Sequence, residues 1–129
     1  MIVDTLKQYL SSYAPLTQLL SADRIYSGIA PSNVMMPWLV IEMVGGQRDK
    51  ITTYKVEQEA SCLISVYVGL DKKNLGYTIA EKALAGLDYF RGALYNTNDV
   101  YIECTPIRYA VLLNGVYKYS FTARVRFIE

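Results

Sequence analysis

Glu57 and Glu59 are the only carboxylates in this chain spaced to work as a pair. Two residues apart in a strand, they share one face, the arrangement that general acid–base chemistry would use. On the outer face of one strand, such a pair reads instead as a solvated or salt-bridged surface. The chain has no histidine, which removes the commonest general base, metal ligand and proton shuttle together. Cys62 and Cys104 lie in strand-like segments and read as small buried apolar side chains in a reducing compartment. Joining them would require Cα atoms within about 7 Å. Gly45-Gly46 lacks the lysine and the following helix of a phosphate loop. The residues point to no catalytic group, cofactor or metal, and hence to no enzyme.

The cations suggest a second kind of chemistry. Lys118, Arg124 and Arg126 share a strand face, and Tyr67 falls on the same side of the sheet, a combination that can stack and neutralise nucleic acid. Glu57 and Glu59 would oppose that patch, and no ribonucleoprotein-type signature is present, so sequence-specific nucleic-acid binding is not expected. Thirteen basic against twelve acidic residues leave a net charge of +1, with no general pull toward nucleic acid or anionic membrane. Twelve tyrosines remain, with Leu63 and Tyr67 facing outward. Tyrosine suits protein interfaces because it buries area while keeping one polar end. The candidate surface for a neighbouring subunit or partner is therefore Glu57, Glu59, Leu63, Tyr67, Lys118, Arg124 and Arg126. The charged stretch Gln47, Arg48, Asp49 and Lys50 joins it as an arm.

Those residues need a sheet to hold them. From Tyr117 the chain alternates almost without a break: Tyr117, Tyr119, Phe121, Ala123, Val125 and Phe127 on one face, Lys118, Ser120, Thr122, Arg124 and Arg126 on the other. Asn114-Gly115 before it is a strong hairpin signal, because both positions require positive φ. A second long strand is predicted from about Thr53 to Leu70, with Tyr54, Val56, Gln58, Ala60, Cys62, Ile64, Val66 and Val68 on one face. Gln58 suggests that its early part runs beyond the core. Glu57 and Glu59 are expected opposite Arg124 and Arg126, fixing register more than stability.

Residues 3 to 20 read as a helix capped by Asp4 or Thr5 and interrupted at Pro15. Arg24 to Gly28 is a short extended piece, and Trp38 to Val44 an apolar strand. Gly45 to Thr53 reads as a mobile, protruding hairpin arm. A second helix is predicted from an Asp71 cap to about Phe90, with Leu75, Ile79, Ala83, Leu87 and Phe90 buried and Arg91-Gly92 as its stop. Leu94 to Asp99 reads as a polar loop, Val100 to Thr105 as a strand broken at Pro106. With 129 residues and 52% hydrophobic content, this is one domain, residues 1–129, with a full core. The expected architecture is α+β: a mainly antiparallel four- to five-stranded sheet, two helices on one face, and the arm. No apolar run is long enough to span a membrane and no basic region precedes the first apolar residues, so a soluble chain without membrane partners or a cleaved signal is expected.

Arg24-Ile25-Tyr26-Ser27-Gly28-Ile29-Ala30-Pro31, followed by Pro37-Trp38-Leu39-Val40-Ile41, resembles the opening signature of the phage tail completion or tail terminator proteins. These are head–tail joining proteins of long-tailed phages and prophages. The order of elements resembles that family over essentially the whole chain, with Trp38 where a tyrosine is usual. The resemblance implies helices on one face of an antiparallel sheet. It also implies a virion structural role, at the tail top of a particle made in the bacterial host cytoplasm. Six copies would form a ring that caps the tail tube, ends its polymerisation and meets the head-completion or connector protein, while DNA crosses the lumen unread. Another head–tail neck subunit, or a small bacterial ligand-binding α+β domain, is the alternative.

Overall fold

The computed structural model describes residues 2–30, 35–44, 48–51, 56–95, 97–112 and 115–128, without the side chains of 48–51, 56 and 57. Its frame is a pair of long antiparallel strands, β4 (Val56–Gly69) and β8 (Val116–Ile128), registered from Glu57↔Ile128 to Gly69↔Val116. Period-two alternation over both strands makes this pairing the backbone of the domain. Ala60, Cys62, Ile64, Val66 and Val68 are buried from β4, and Tyr119, Phe121, Ala123, Val125 and Phe127 from β8. The predicted faces of both strands are those observed. Gln58 differs: it is buried on the core face, so the core reaches further along β4 than its polarity suggested.

Each long strand carries two short ones end to end along its outer edge. Beside β4 run β2 (Trp38–Met43) and β3 (Arg48–Ile51); beside β8 run β7 (Arg108–Leu112) and β6 (Thr97–Cys104). The break between β6 and β7 falls at Pro106, as expected of a residue with no N–H to give a ladder. β1 (Ile25–Ser27) adds to β2 in parallel and β5 (Arg91–Leu94) to β6, giving eight strands among the described residues rather than four or five. Part of the expected arm is thus β3, paired to the first residues of β4. Gly45, Gly46, Gln47 and residues 52–55 lie outside the described residues, as do Leu113 and Asn114 of the expected hairpin turn.

The helices α1 (Ile2–Ser11), α2 (Ala14–Thr17) and α3 (Lys73–Leu87) contribute to a single core cluster with the inward sheet residues. Pro15 opens α2, whose first turn needs no N–H there. Neither predicted cap is one. α1 is already helical at Ile2, and Asp4 in its first turn accepts a hydrogen bond from Ser27 Oγ at 2.9 Å. Asp71 lies in a short 3₁₀ turn, and Lys72 occupies the cap position of α3 without a side-chain hydrogen bond.

α3 stops at Leu87, three residues before the expected end. Tyr89 takes the left-handed turn at φ 61, the position usually given to glycine, while Gly92 at φ 134 belongs to β5. Reading Arg91-Gly92 as a helix stop concealed the β5–β6 hairpin, and with it most of the expected polar loop. Leu75 and Phe90 are only partly buried; Ile79, Ala83 and Leu87 are fully so.

Candidate assembly interface

The face of the sheet away from the helices is organised in rows that cross β2, β4 and β8. In the upper row Trp38, Tyr67 and Lys118 are register partners in sequence. The rings of Trp38 and Tyr67 stack with centroids 5.4 Å apart, and Lys118 Nζ lies 5.7 Å from the Tyr67 ring centre. Aromatic stacking holds both rings in one orientation and the cation adds to it, so this end of the face is preorganised. One register step on the same face, Val40 and Ser65 are buried although they point outward. Leu63 follows between Glu42 and Thr122.

The lower end is ionic. Glu59 sits between Arg48 of β3 and Arg126 of β8, and Arg126 in turn faces Tyr101 of β6. Glu59 Oε1 lies 3.6 Å from Arg124 Nε, a diagonal contact, and Arg124 faces Glu103 in register. The Arg91 and Arg126 guanidinium carbons lie 4.5 and 6.0 Å from the Tyr101 ring centre. The Tyr101 phenol is held above its ordinary pKa, first by its hydrogen bond to Glu103, with Arg91 opposing the shift. Opposite signs on the neighbouring strands β4, β8 and β6 fix lateral register and leave a surface that reads its partner by charge pattern.

Sequence alternation thus correctly gathers Glu59, Leu63, Tyr67, Lys118, Arg124 and Arg126 on one face. Two details differ. Only Glu59 is directly opposite an arginine, because the register sets Glu57 against Ile128. Leu63 and Tyr67 are half-buried, Tyr67 through its stack with Trp38. Arg48, Asp49 and Lys50 are β3 residues paired with Glu59, Gln58 and Glu57, and Gln47 lies outside the described residues. Trp38, Tyr101, Glu103 and Arg91 complete the face without having been expected there. Alternation within β2 around Glu42 was the signal for Trp38; Arg91 needed β5, which the misplaced helix stop hid.

A second surface was not foreseen. The β7–β8 hairpin carries a tyrosine cluster on its helix side. The Tyr119 ring centre lies 5.9 Å from that of Tyr77, 6.2 Å from Tyr117 and 6.4 Å from Tyr109, and Lys73 Nζ is 5.6 Å from the Tyr117 centre. Tyr77, Tyr109 and Tyr119 line a cleft of about 480 Å³ with Lys73, Asn74 and Thr78.

No protein-family model matches the chain, and no curated protein matches it. Among solved structures, the fold is shared with a chain from the virion of a native gene transfer agent particle. The match has a TM-score of 0.76 and 14% sequence identity, over 96% of this chain and 92% of that one.

Proposed function

We propose that this chain is a virion structural protein of the tail completion or tail terminator type. In this reading six copies close into a ring on the end of the tail tube, stop tube polymerisation and present the joint to the head-completion or connector protein. The protein works at the tail top, after synthesis in the bacterial host cytoplasm, and performs no catalytic step. The observation that carries the reading is the near end-to-end fold match to a virion chain, in which 96% and 92% of the two chains superpose. The outer face supports it. Scattered apolar groups among paired charges are too polar for an obligate interface and suit one formed on a template. Association between different patches of successive copies closes a ring when the rotation fits. Weak association in free solution keeps such a ring from forming before the tube is complete.

Negative-stain imaging of the purified protein mixed with purified tail tube protein tests the reading. Rings at one end of tubes that then stop elongating are the expected result. Tubes that keep growing in excess protein, with bare ends, would rule the reading out.

A further inference from the structure

Four strands in this fold have one side with no strand partner among the described residues: β1, β3, β5 and β7. Exposed edges invite unwanted pairing, and proteins guard them with shortness, charge, bulges or covering elements. Three of the four are guarded. β1 is three residues long and tied to α1 through Ser27 and Asp4. β3 opens with Arg48, Asp49 and Lys50 in succession. β5 carries a register shift between Gly92 and Leu94. β7 has no such device beyond its first residue. It reads Arg108-Tyr109-Ala110-Val111-Leu112, all five residues are exposed, and Tyr109, Val111 and Leu112 are 69%, 58% and 38% accessible.

We infer that the β7 edge is a docking site for an extended segment of another protein, one that alternates acidic and apolar side chains. Main-chain hydrogen bonds along the open edge would hold the segment, and alternate side chains would set its identity. On the helix side, Tyr109 lines the cleft with Tyr77 and Tyr119, and Val111 pairs with Tyr117, so the two offer an apolar seat. On the other side, Arg108 and Lys118 face outward, while Lys73 stands over the hairpin from α3. Arg108 on β7, Lys118 beside it on β8 and Lys73 over the hairpin make the edge positive, and β7 itself carries no carboxylate. That charge selects an acidic partner. It also disfavours a second copy: β7 against β7 would bring both sets of Lys73, Arg108 and Lys118 together, and β3 of a neighbour would add Arg48 and Lys50. This edge borders the outer sheet face at Lys118, and the inference stands whether or not the chain caps tails.

The test uses the full chain and a fluorescent peptide of alternating glutamate and valine, followed by anisotropy and by amide shifts in NMR spectra. Saturable binding that weakens with salt is expected, with shifts concentrated in residues 105–120 and at Tyr77. Val111→Lys, which supplies the missing edge charge at an exposed position, should weaken binding by about tenfold or more. Arg108→Glu should turn the preference toward a lysine–valine peptide. The same glutamate peptide with every second amide methylated should not bind. Equal binding of the lysine peptide or the methylated peptide to the wild-type chain, shifts elsewhere in the sheet, or no binding at all would each overturn the inference. So would a concentration-dependent dimer abolished by Val111→Lys, which would give the edge to a second copy.

Discussion

Trp38 and Tyr67 face each other across β2 and β4 with their rings stacked 5.4 Å apart, and Lys118 approaches Tyr67 from β8. Three strands are therefore coupled on the outer face by a single row of side chains. Tyr67→Ala should cost roughly 0.5–1.5 kcal/mol from the lost stack beyond the area it buries. Tyr67→Glu should leave a folded monomer that forms no rings on tail tubes. Trp38 is the chain's one tryptophan, so its emission reports directly on this row. A shift in that emission on mixing with tail tubes is expected of the wild type and not of Tyr67→Glu. Intact capping rings in Tyr67→Glu would move the subunit interface elsewhere.

Arg124 is more than half exposed, and its contact with Glu59 spans 3.6 Å. Exposed pairs contribute roughly 0–1 kcal/mol, so Arg124→Glu should change the unfolding midpoint little. Its effect should appear in assembly, where a reversed charge breaks the alternation of the lower row. Thermal melts and tube capping, measured on one preparation, separate the two effects. A large loss of stability would mean that the ionic row holds the sheet together.

Phe121 is 2% exposed at the centre of β8, in the cluster that contains Ile79 and Leu87 of α3. Truncating it to alanine should cost roughly 3–5 kcal/mol, the range for a large buried aromatic. Urea denaturation provides the measurement. A cost below about 1 kcal/mol would show that the neighbouring helix collapses into the space.

How much of this was legible in advance follows from pattern length. β4 and β8 alternate over enough residues to fix their faces, and one prolonged alternation error would have inverted the core. The short strands had no such protection. β3 is three charges and an isoleucine, which reads as a loop until β4 is seen to pair with it. β5 begins at Arg91-Gly92, where glycine mimics a helix stop, while Tyr89 makes the turn instead. The Glu57 partner was missed because alternation gives a face but not a register. The open β7 edge was invisible because a single strand does not reveal which of its sides is paired.

Gly76 is buried where α3 packs on the sheet. A Cβ added there would lie 2.5 Å from Val68 Cγ2 and 2.9 Å from Tyr119 Cε2, both on buried residues. In an open helix, Gly→Ala gains roughly 1 kcal/mol, but overpacking a filled core costs roughly 1–3 kcal/mol. Val68 is fully buried and holds the nearest atom, so the clash should win and Gly76→Ala should unfold at a lower temperature. A raised melting temperature would show that α3 can lift from the sheet at little cost.

The two cysteines give the fold an alkaline limit. Burial pushes the Cys62 thiol up to about 11 and the Cys104 thiol up to about 12, the latter helped by Asp88, from an ordinary value of 9.0. In the unfolded chain both thiols ionise near the ordinary value, while the folded chain keeps them protonated. Between those values the unfolded state binds fewer protons than the folded one, so stability falls as pH rises. The contribution is whole below about pH 9 and is lost progressively as pH climbs through about 11 to 12. Burial raises Tyr9 and Tyr119 in the same sense, so some slope should remain when both cysteines become alanine. The expected result is a urea midpoint that declines above about pH 9 in the wild type and declines less steeply in the double variant. Folded protein near pH 8 should also resist thiol-directed reagents until denaturant is added, because only the thiolate reacts. Rapid labelling of the native chain, or identical alkaline slopes in both proteins, would mean that these thiols are not held protonated by the core.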